Sequence, residues 1–307
     1  MKNITIIGSG SFGCALAHAF EKKNLVKIWS YTKEEQDSIN LKHTCLQIPS
    51  IKLLDKTKCY LDYKEAIEDS DIVVLALPSI FIRSTCKEIK KYIDDKEIVL
   101  VSKGLENDKL LSTVIKEELD KDVNVLMGPS FAIELGNDCN TYVDFYGSKD
   151  LIKDLESDIL HLNYCDDMIG MQVSGALKNI ITIMIGISDG LGYGINTKSY
   201  IFTEGYREIR EIGLKLGAKN DTFLGLSGIG DLYLTSIGDN SRNKRAGILL
   251  GKGMKLDDIY KEISSTIEGL NTLKDAKYIV EKYNLDCKLI NNLYDIVFNN
   301  KEAKYII

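Results

Sequence analysis

A chain of 307 residues, 44% apolar and 27% charged, has the make-up of an ordinary globular protein long enough for two cores. Its net charge of −6, with lysines dispersed among acids, argues against generic nucleic-acid binding. Seven cysteines without C-x-x-C spacing and three scattered histidines point to reduced thiols, not to a disulfide framework or a zinc site. In chain order, a strand at the very start gives no signal-peptide pattern. Gly, Ser and Lys interrupt the one long apolar stretch, so a soluble cytoplasmic protein without membrane insertion is expected.

Residues 3–7 predict a short β-branched strand, with Gly8-Ser-Gly10-Ser-Phe-Gly13 directly after it and a helix over residues 14–22. At this spacing the glycines have separate jobs: a tight turn, close approach of a pyrophosphate, and close helix–strand packing. The helix N-terminus beyond them offers unpaired N–H groups to the phosphates. Methyltransferases use a version of the same motif, which alone does not separate the two. A second strand, residues 26–30, ends where the cofactor would be chosen. An acid there would bind ribose hydroxyls and an arginine a 2′-phosphate. Ser30-Tyr31-Thr32-Lys33 supplies neither, and Lys33 with the hydroxyls tolerates a phosphate, so NAD and NADP both stay open.

Three further strands end in unusual residues. Residues 71–77 run into Pro78-Ser79, 97–102 into Lys103-Gly104, and 123–127 into Gly128-Pro129-Ser130. Continuous apolar strands separated by helices predict a parallel sheet covered on both faces, whose ligands lie beyond the carboxyl ends of the strands. Lys103 is therefore an active-site candidate. A strand over 141–146, then a helix and a last short strand within 150–165, complete a dinucleotide-binding domain of residues 1–167. Helical patterns take over in a domain of residues 168–307.

Residues 168–187 are apolar almost all round, which marks a helix buried on every side. Gly175, Lys178, Thr182, Gly186 and Asp189 form one narrow polar or small-residue line along it. A lysine there is either paired with a structural carboxylate or serves as a proton donor to a reacting carbonyl; the second reading is favoured. After a break at 190–194 comes a helix over 196–216. Residues 224–232 are too glycine-rich for a helix interior and predict a loop that leads into a helix. Asp231 at its end is either that helix's cap or the partner of Lys178, and the two are compatible. In the polar cluster 239–245, Arg242 flanked by Ser241 and Asn243 suits a phosphate or carboxylate. Glu268-Gly269 is the only break with site character in the tail.

Seven stretches in order carry a resemblance: Gly8-Ser-Gly-Ser-Phe-Gly13, Val101-Ser-Lys-Gly-Leu-Glu106, Gly128-Pro-Ser-Phe-Ala132, Gly175-Ala-Leu-Lys-Asn179, Gly228-Ile-Gly-Asp-Leu232, Ser241-Arg-Asn243 and Glu268-Gly269. From Gly8 to about Gly269 the chain resembles the cytoplasmic NAD(P)-dependent glycerol-3-phosphate dehydrogenases of bacteria. That resemblance implies a Rossmann-like doubly wound sheet followed by an all-helical domain, with the active site between them. It implies reversible reduction of dihydroxyacetone phosphate to sn-glycerol 3-phosphate, feeding phospholipid synthesis. Lys178 would be the catalytic acid/base, with Lys103 and Asp231 beside the reaction. Gly8, Gly10, Ser11, Phe12, Gly13, Tyr31, Lys103, Ala132, Arg242 and Glu268 would touch the nicotinamide cofactor. Gly128, Ser130, Lys178, Asp231, Ser241, Arg242 and Asn243 would surround the phosphorylated substrate, with Lys103 touching both. The chain departs from the family near Tyr31, where members often carry Arg, at Gln172, where an acid is common, and in its short tail after Asn299. A 2- or 3-hydroxyacid dehydrogenase on the same scaffold and a non-catalytic dinucleotide sensor are the competing readings. A homodimer has only the general commonness of isologous pairs in its favour.

Overall fold

A computed structural model of the chain describes residues 1–238, 241–263 and 267–307. The chain divides into two compact units, one of Met1–Lys103 with Leu111–Asp166 and one of Gly104–Leu110 with Asp167–Ile307. Each has its own apolar core.

In the first unit the strands are β1 (Asn3–Ile7), β2 (Leu25–Trp29), β3 (Lys58–Tyr60), β4 (Ile72–Leu75) and β5 (Glu97–Leu100). The hairpin strands β6 (Leu105–Glu106) and β7 (Lys109–Leu110) belong to the second unit; β8 (Asn124–Met127), β9 (Thr141–Tyr146) and β10 (Leu160–Tyr164) return to the first. The order across the eight-stranded sheet is β10-β9-β8-β5-β4-β1-β2-β3. Its centre is mostly apolar: Ile4, Ile6, Val74 and Val99 are buried in neighbouring strands, as a sheet covered on both faces requires, and the buried Thr5 of β1 donates its hydroxyl to Ala66 O at 2.5 Å. Strands β1 to β5 and β8 are parallel, but β9 runs antiparallel to β8 and β10 follows β9. The expectation of a parallel sheet therefore fails at one edge. Between β8 and β9 the chain forms only a four-residue helix, Ala132–Leu135, and doubles back instead of crossing over.

The first helix, α1 (Ser11–Phe20), begins three residues before the expected start, so Ser11, Phe12 and Gly13 lie in its first turn. Four more helices used below are α2 (Lys33–Lys42), α3 (Tyr63–Ile67), α4 (Ile82–Ile89) and α5 (Leu111–Leu119). The β6–β7 hairpin turns on Asn107 and Asp108, both at positive φ (48° and 60°), which is the two-residue turn that suits twisted strands.

The second unit is built on one helix, α6 (Met168–Gly190), buried from Gly170 to Ser188. Around it pack α7 (Ile195–Lys215), α8 (Asp231–Ile237), α9 (Arg242–Gly251) and α10 (Glu268–Lys282). By length and composition α6 would suffice to cross a bilayer, contrary to the reading that its Gly, Ser and Lys make it too short. Within the protein it is buried from Gly170 to Ser188, so its apolar surface is met by other helices. Glycines let α9 lie directly against it. A Cβ added at Gly186 would meet Lys244 O at 2.2 Å, and one at Gly247 would meet Ile183 O at 2.1 Å. Gly190 and Gly251 repeat this contact one turn on, so the seam is backbone against backbone.

Candidate active site

In the first unit the glycine-rich turn divides its work as its spacing suggests. Gly8 sits at φ +122°, and a Cβ there would lie 2.3 Å from Ala76 O at the end of β4. A Cβ on Gly13 would lie 2.0 Å from Gly8 O, so this residue sets the closeness of α1 to the turn. Around Gly10 a Cβ would meet nothing within 4 Å. Open space lies there, at a helix N-terminus with no side-chain cap and no acid in its first turn. That is a cradle for an anion whose neighbours are backbone N–H groups, and it fits a dinucleotide pyrophosphate.

Beside it lies a cavity of about 520 Å³ at the ends of β1, β2 and β4, lined by Gly8 to Gly10, Trp29, Tyr31, Glu35, Tyr63, Phe81 and Thr85 among others. Trp29 stacks on Tyr63 with ring centroids 4.3 Å apart and donates to Leu61 O at 2.9 Å, which holds the wall flat. Tyr31 is almost fully exposed at its rim.

Further along the strand ends, Ser102 Oγ donates to Leu75 O and accepts from Leu77 N, tying β5 to β4. The half-buried Lys103 follows, and its Nζ reaches Gly128 O at 3.5 Å. Ser130 Oγ donates to the same carbonyl at 3.1 Å. Gly128 has φ +157°, and a Cβ on it would stand 2.9 Å from Val143 Cα. Lys103, Gly128 and Ser130 are thus one cluster. Ala132 opens the short helix after it and packs with Phe12 on the first core.

In the second unit Lys178 is 8% exposed, and its Nζ donates to Asp231 Oδ1 at 2.5 Å and to Thr235 Oγ1 at 2.6 Å. Thr235 Oγ1 in turn donates to Asp231 O at 2.8 Å. The glycine-rich 224–232 stretch is not all loop: Leu226–Gly230 makes one wide turn, kinked at Gly228, that leads directly into α8. Gly230 occupies the cap position of α8 without a side-chain bond, so Asp231 is its buried first residue and faces Lys178 instead. A buried charge pair with an added hydroxyl satisfies both partners, whereas either group alone would be costly there. Thr235 escaped sequence reading. Its one signal was its place four residues after Asp231, on the same helix face.

One residue on, Asn179 donates from Nδ2 to Glu268 Oε2 at 3.3 Å, and Gly269 N donates to Asn243 Oδ1 at 3.0 Å. Asn179, Asn243, Glu268 and Gly269 therefore meet where α6, α9 and α10 converge. Ser241 caps α9, accepting from Lys244 N at 3.3 Å, and Arg242 stands exposed in that helix's first position. Asp239 and Asn240 of the same polar cluster lie outside the described residues.

A doubly wound sheet with a dinucleotide-shaped first turn, followed by a helical unit burying a lysine–carboxylate pair, defines a nicotinamide-dependent dehydrogenase. Residues 3–149 match the family model described as the N-terminus of NAD-dependent glycerol-3-phosphate dehydrogenase, and residues 167–307 match its C-terminus. The chain belongs to this family. The glycerol-3-phosphate dehydrogenase [NAD(P)+] of Fusobacterium nucleatum is 40% identical over 99% of this chain and 94% of its own length. That of Clostridium tetani is 38% identical over 100% and 91%. The crystal structure of glycerol-3-phosphate dehydrogenase from Coxiella burnetii superposes with a TM-score of 0.93 at 30% identity, covering 99% of this chain and 97% of that one.

Proposed function

We infer that the chain is an NAD(P)-dependent glycerol-3-phosphate dehydrogenase, reducing dihydroxyacetone phosphate to sn-glycerol 3-phosphate, in the cytoplasm and for glycerophospholipid synthesis. The observation that carries the mechanism is the buried Lys178 held by Asp231 and Thr235. When bound, the reduced nicotinamide supplies a hydride to the carbonyl carbon. The residues do the rest. Lys178 gives its proton to the carbonyl oxygen as negative charge gathers there, and Asp231 fixes the ammonium and keeps it paired before the proton moves. Thr235 restricts it to one direction. In the reverse reaction the amine takes the same proton back from the alcohol.

Gly8, Gly10 and Gly13 would hold the pyrophosphate, with Ser11, Phe12, Tyr31, Ala132 and Glu268 along the cofactor. Lys103, with Gly128 and Ser130, serves cofactor and substrate on the first unit. Arg242 meets the substrate phosphate with Ser241 and Asn243, so a group remote from the chemistry orients the reacting one. Asn243 already spends its oxygen on Gly269, so its contribution is the amide N–H. The division of labour follows: residues 1–167 hold most of the dinucleotide, and residues 168–307 carry the acid/base and the Glu268 cofactor contact. The test is loss of reduced-nicotinamide absorbance on adding dihydroxyacetone phosphate to purified protein. Oxidation is expected with this substrate and not with 2-keto acids. Turnover of a keto acid alone would transfer the reading to a hydroxyacid dehydrogenase, and binding without turnover to a sensor.

A further inference from the structure

The cavity at the end of β2 differs in charge from what a second phosphate would need. Its lining holds one ionisable acid, Glu35, and no lysine, arginine or histidine. Glu35 is half-buried and held at both oxygens: Thr32 Oγ1 donates to Oε2 at 3.0 Å, and Gln47 Nε2 donates to Oε1 at 2.7 Å. A carboxylate pinned in this way cannot turn from the cavity without giving up a bond, yet each oxygen keeps a lone pair for a further donor.

The cation nearest in sequence points elsewhere. Lys33 forms an ion pair with Asp37 one turn along α2 and is not part of the lining. The N-terminus of α2 would attract an anion through its dipole, but its first turn already carries Glu34 and Glu35. Thr32 also caps it, accepting from Glu35 N. Tyr31 at the rim is neutral and exposed.

We propose that this chain selects NADH over NADPH, and that Glu35, braced by Thr32 and Gln47, is the residue that selects. The carboxylate accepts hydrogen bonds from the adenosine ribose hydroxyls of NADH. A 2′-phosphate in the same place would set two negative groups against each other with no cation in the cavity lining to offset them. This rests on reading the Gly8–Gly13 turn as a dinucleotide site.

The test measures Kd for NADH and for NADPH by nicotinamide fluorescence on the full chain without substrate, with kcat/KM for each cofactor alongside. NADH should bind at least tenfold more tightly. In Glu35→Gln the preference should shrink at least fivefold, chiefly through tighter NADPH. Tyr31→Arg, which brings a cation to the rim, should shrink it further, and melting temperatures verify that both variants are folded. Equal or tighter binding of NADPH by the unaltered protein would overturn the proposal alone. A ratio unchanged in Glu35→Gln would remove Glu35 as the selecting residue. Binding of neither dinucleotide would overturn the Gly8–Gly13 reading together with the proposal.

Discussion

His18, in the last turn of α1, is gripped at both ring nitrogens. Nδ1 lies 2.7 Å from Lys52 O and Nε2 3.0 Å from Asp138 Oδ1, with the buried Glu21 at 3.7 Å. Donation on both sides requires the imidazolium, and the bond to Glu21, with that to Asp138, raises its pKa to about 9 although burial opposes this. The folded value lies above the ordinary one, so the stability is fully present below about pH 6.5 and is lost as pH rises through about 9. Screened at its partly open site, the effect should be about 1–2 kcal/mol. Between pH 6 and pH 9 the melting temperature should fall further in the unaltered protein than in His18→Gln; equal falls would show the ring is neutral. At this scale the sequence marked the tight packing of Gly8 and Gly13 and the open space at Gly10 in the candidate site, because local geometry sets these. Thr235 and Glu35 stayed hidden because their roles depend on what folds against them.

Between elements, the central contact is the seam of α6 and α9. Gly186 and Gly190 face Gly247 and Gly251, and a methyl group at Gly247 would stand 2.9 Å from Gly186 Cα as well as against Ile183 O. Both obstacles are backbone, which cannot rotate away. Gly247→Ala should cost about 3 kcal/mol, the upper end of the usual range for overpacking. Gly194→Ala is the control: a Cβ there would meet nothing within 4 Å, so only the exchange of a glycine N-cap, at most about 1 kcal/mol, is expected. Denaturant midpoints for the two variants decide this. Equal losses would mean the seam yields. Sequence showed α6 to be buried all round but not which helix lay on its glycine line, since a row of small residues says only that something comes close.

Across the whole molecule, the alternation of strands and helices up to residue 167 was readable and so was its end. Two features were not. Strand β9 runs backward because of how the 128–140 connection turns, which no strand pattern encodes. The β6–β7 hairpin lies within the sheet-forming part of the chain yet packs Leu105 and Leu110 on the second core, and Asp108 N donates to Asp275 of α10 at 3.1 Å. Two-residue strands carry no periodicity to detect. The proposed acid/base lies at the centre of the second unit, and Lys178 offers the sharpest test. In Lys178→Ala the loss of the ammonium leaves Asp231 buried without this partner, costing about 3–5 kcal/mol, so folding is first verified by NADH binding. The measurement is kcat for dihydroxyacetone phosphate reduction by this variant beside the unaltered protein. A fall of about 10²–10⁴-fold with NADH Kd within about twofold is the predicted result for a lost proton donor. A kcat within about threefold of the unaltered protein's, with NADH still bound, would contradict Lys178 as the acid.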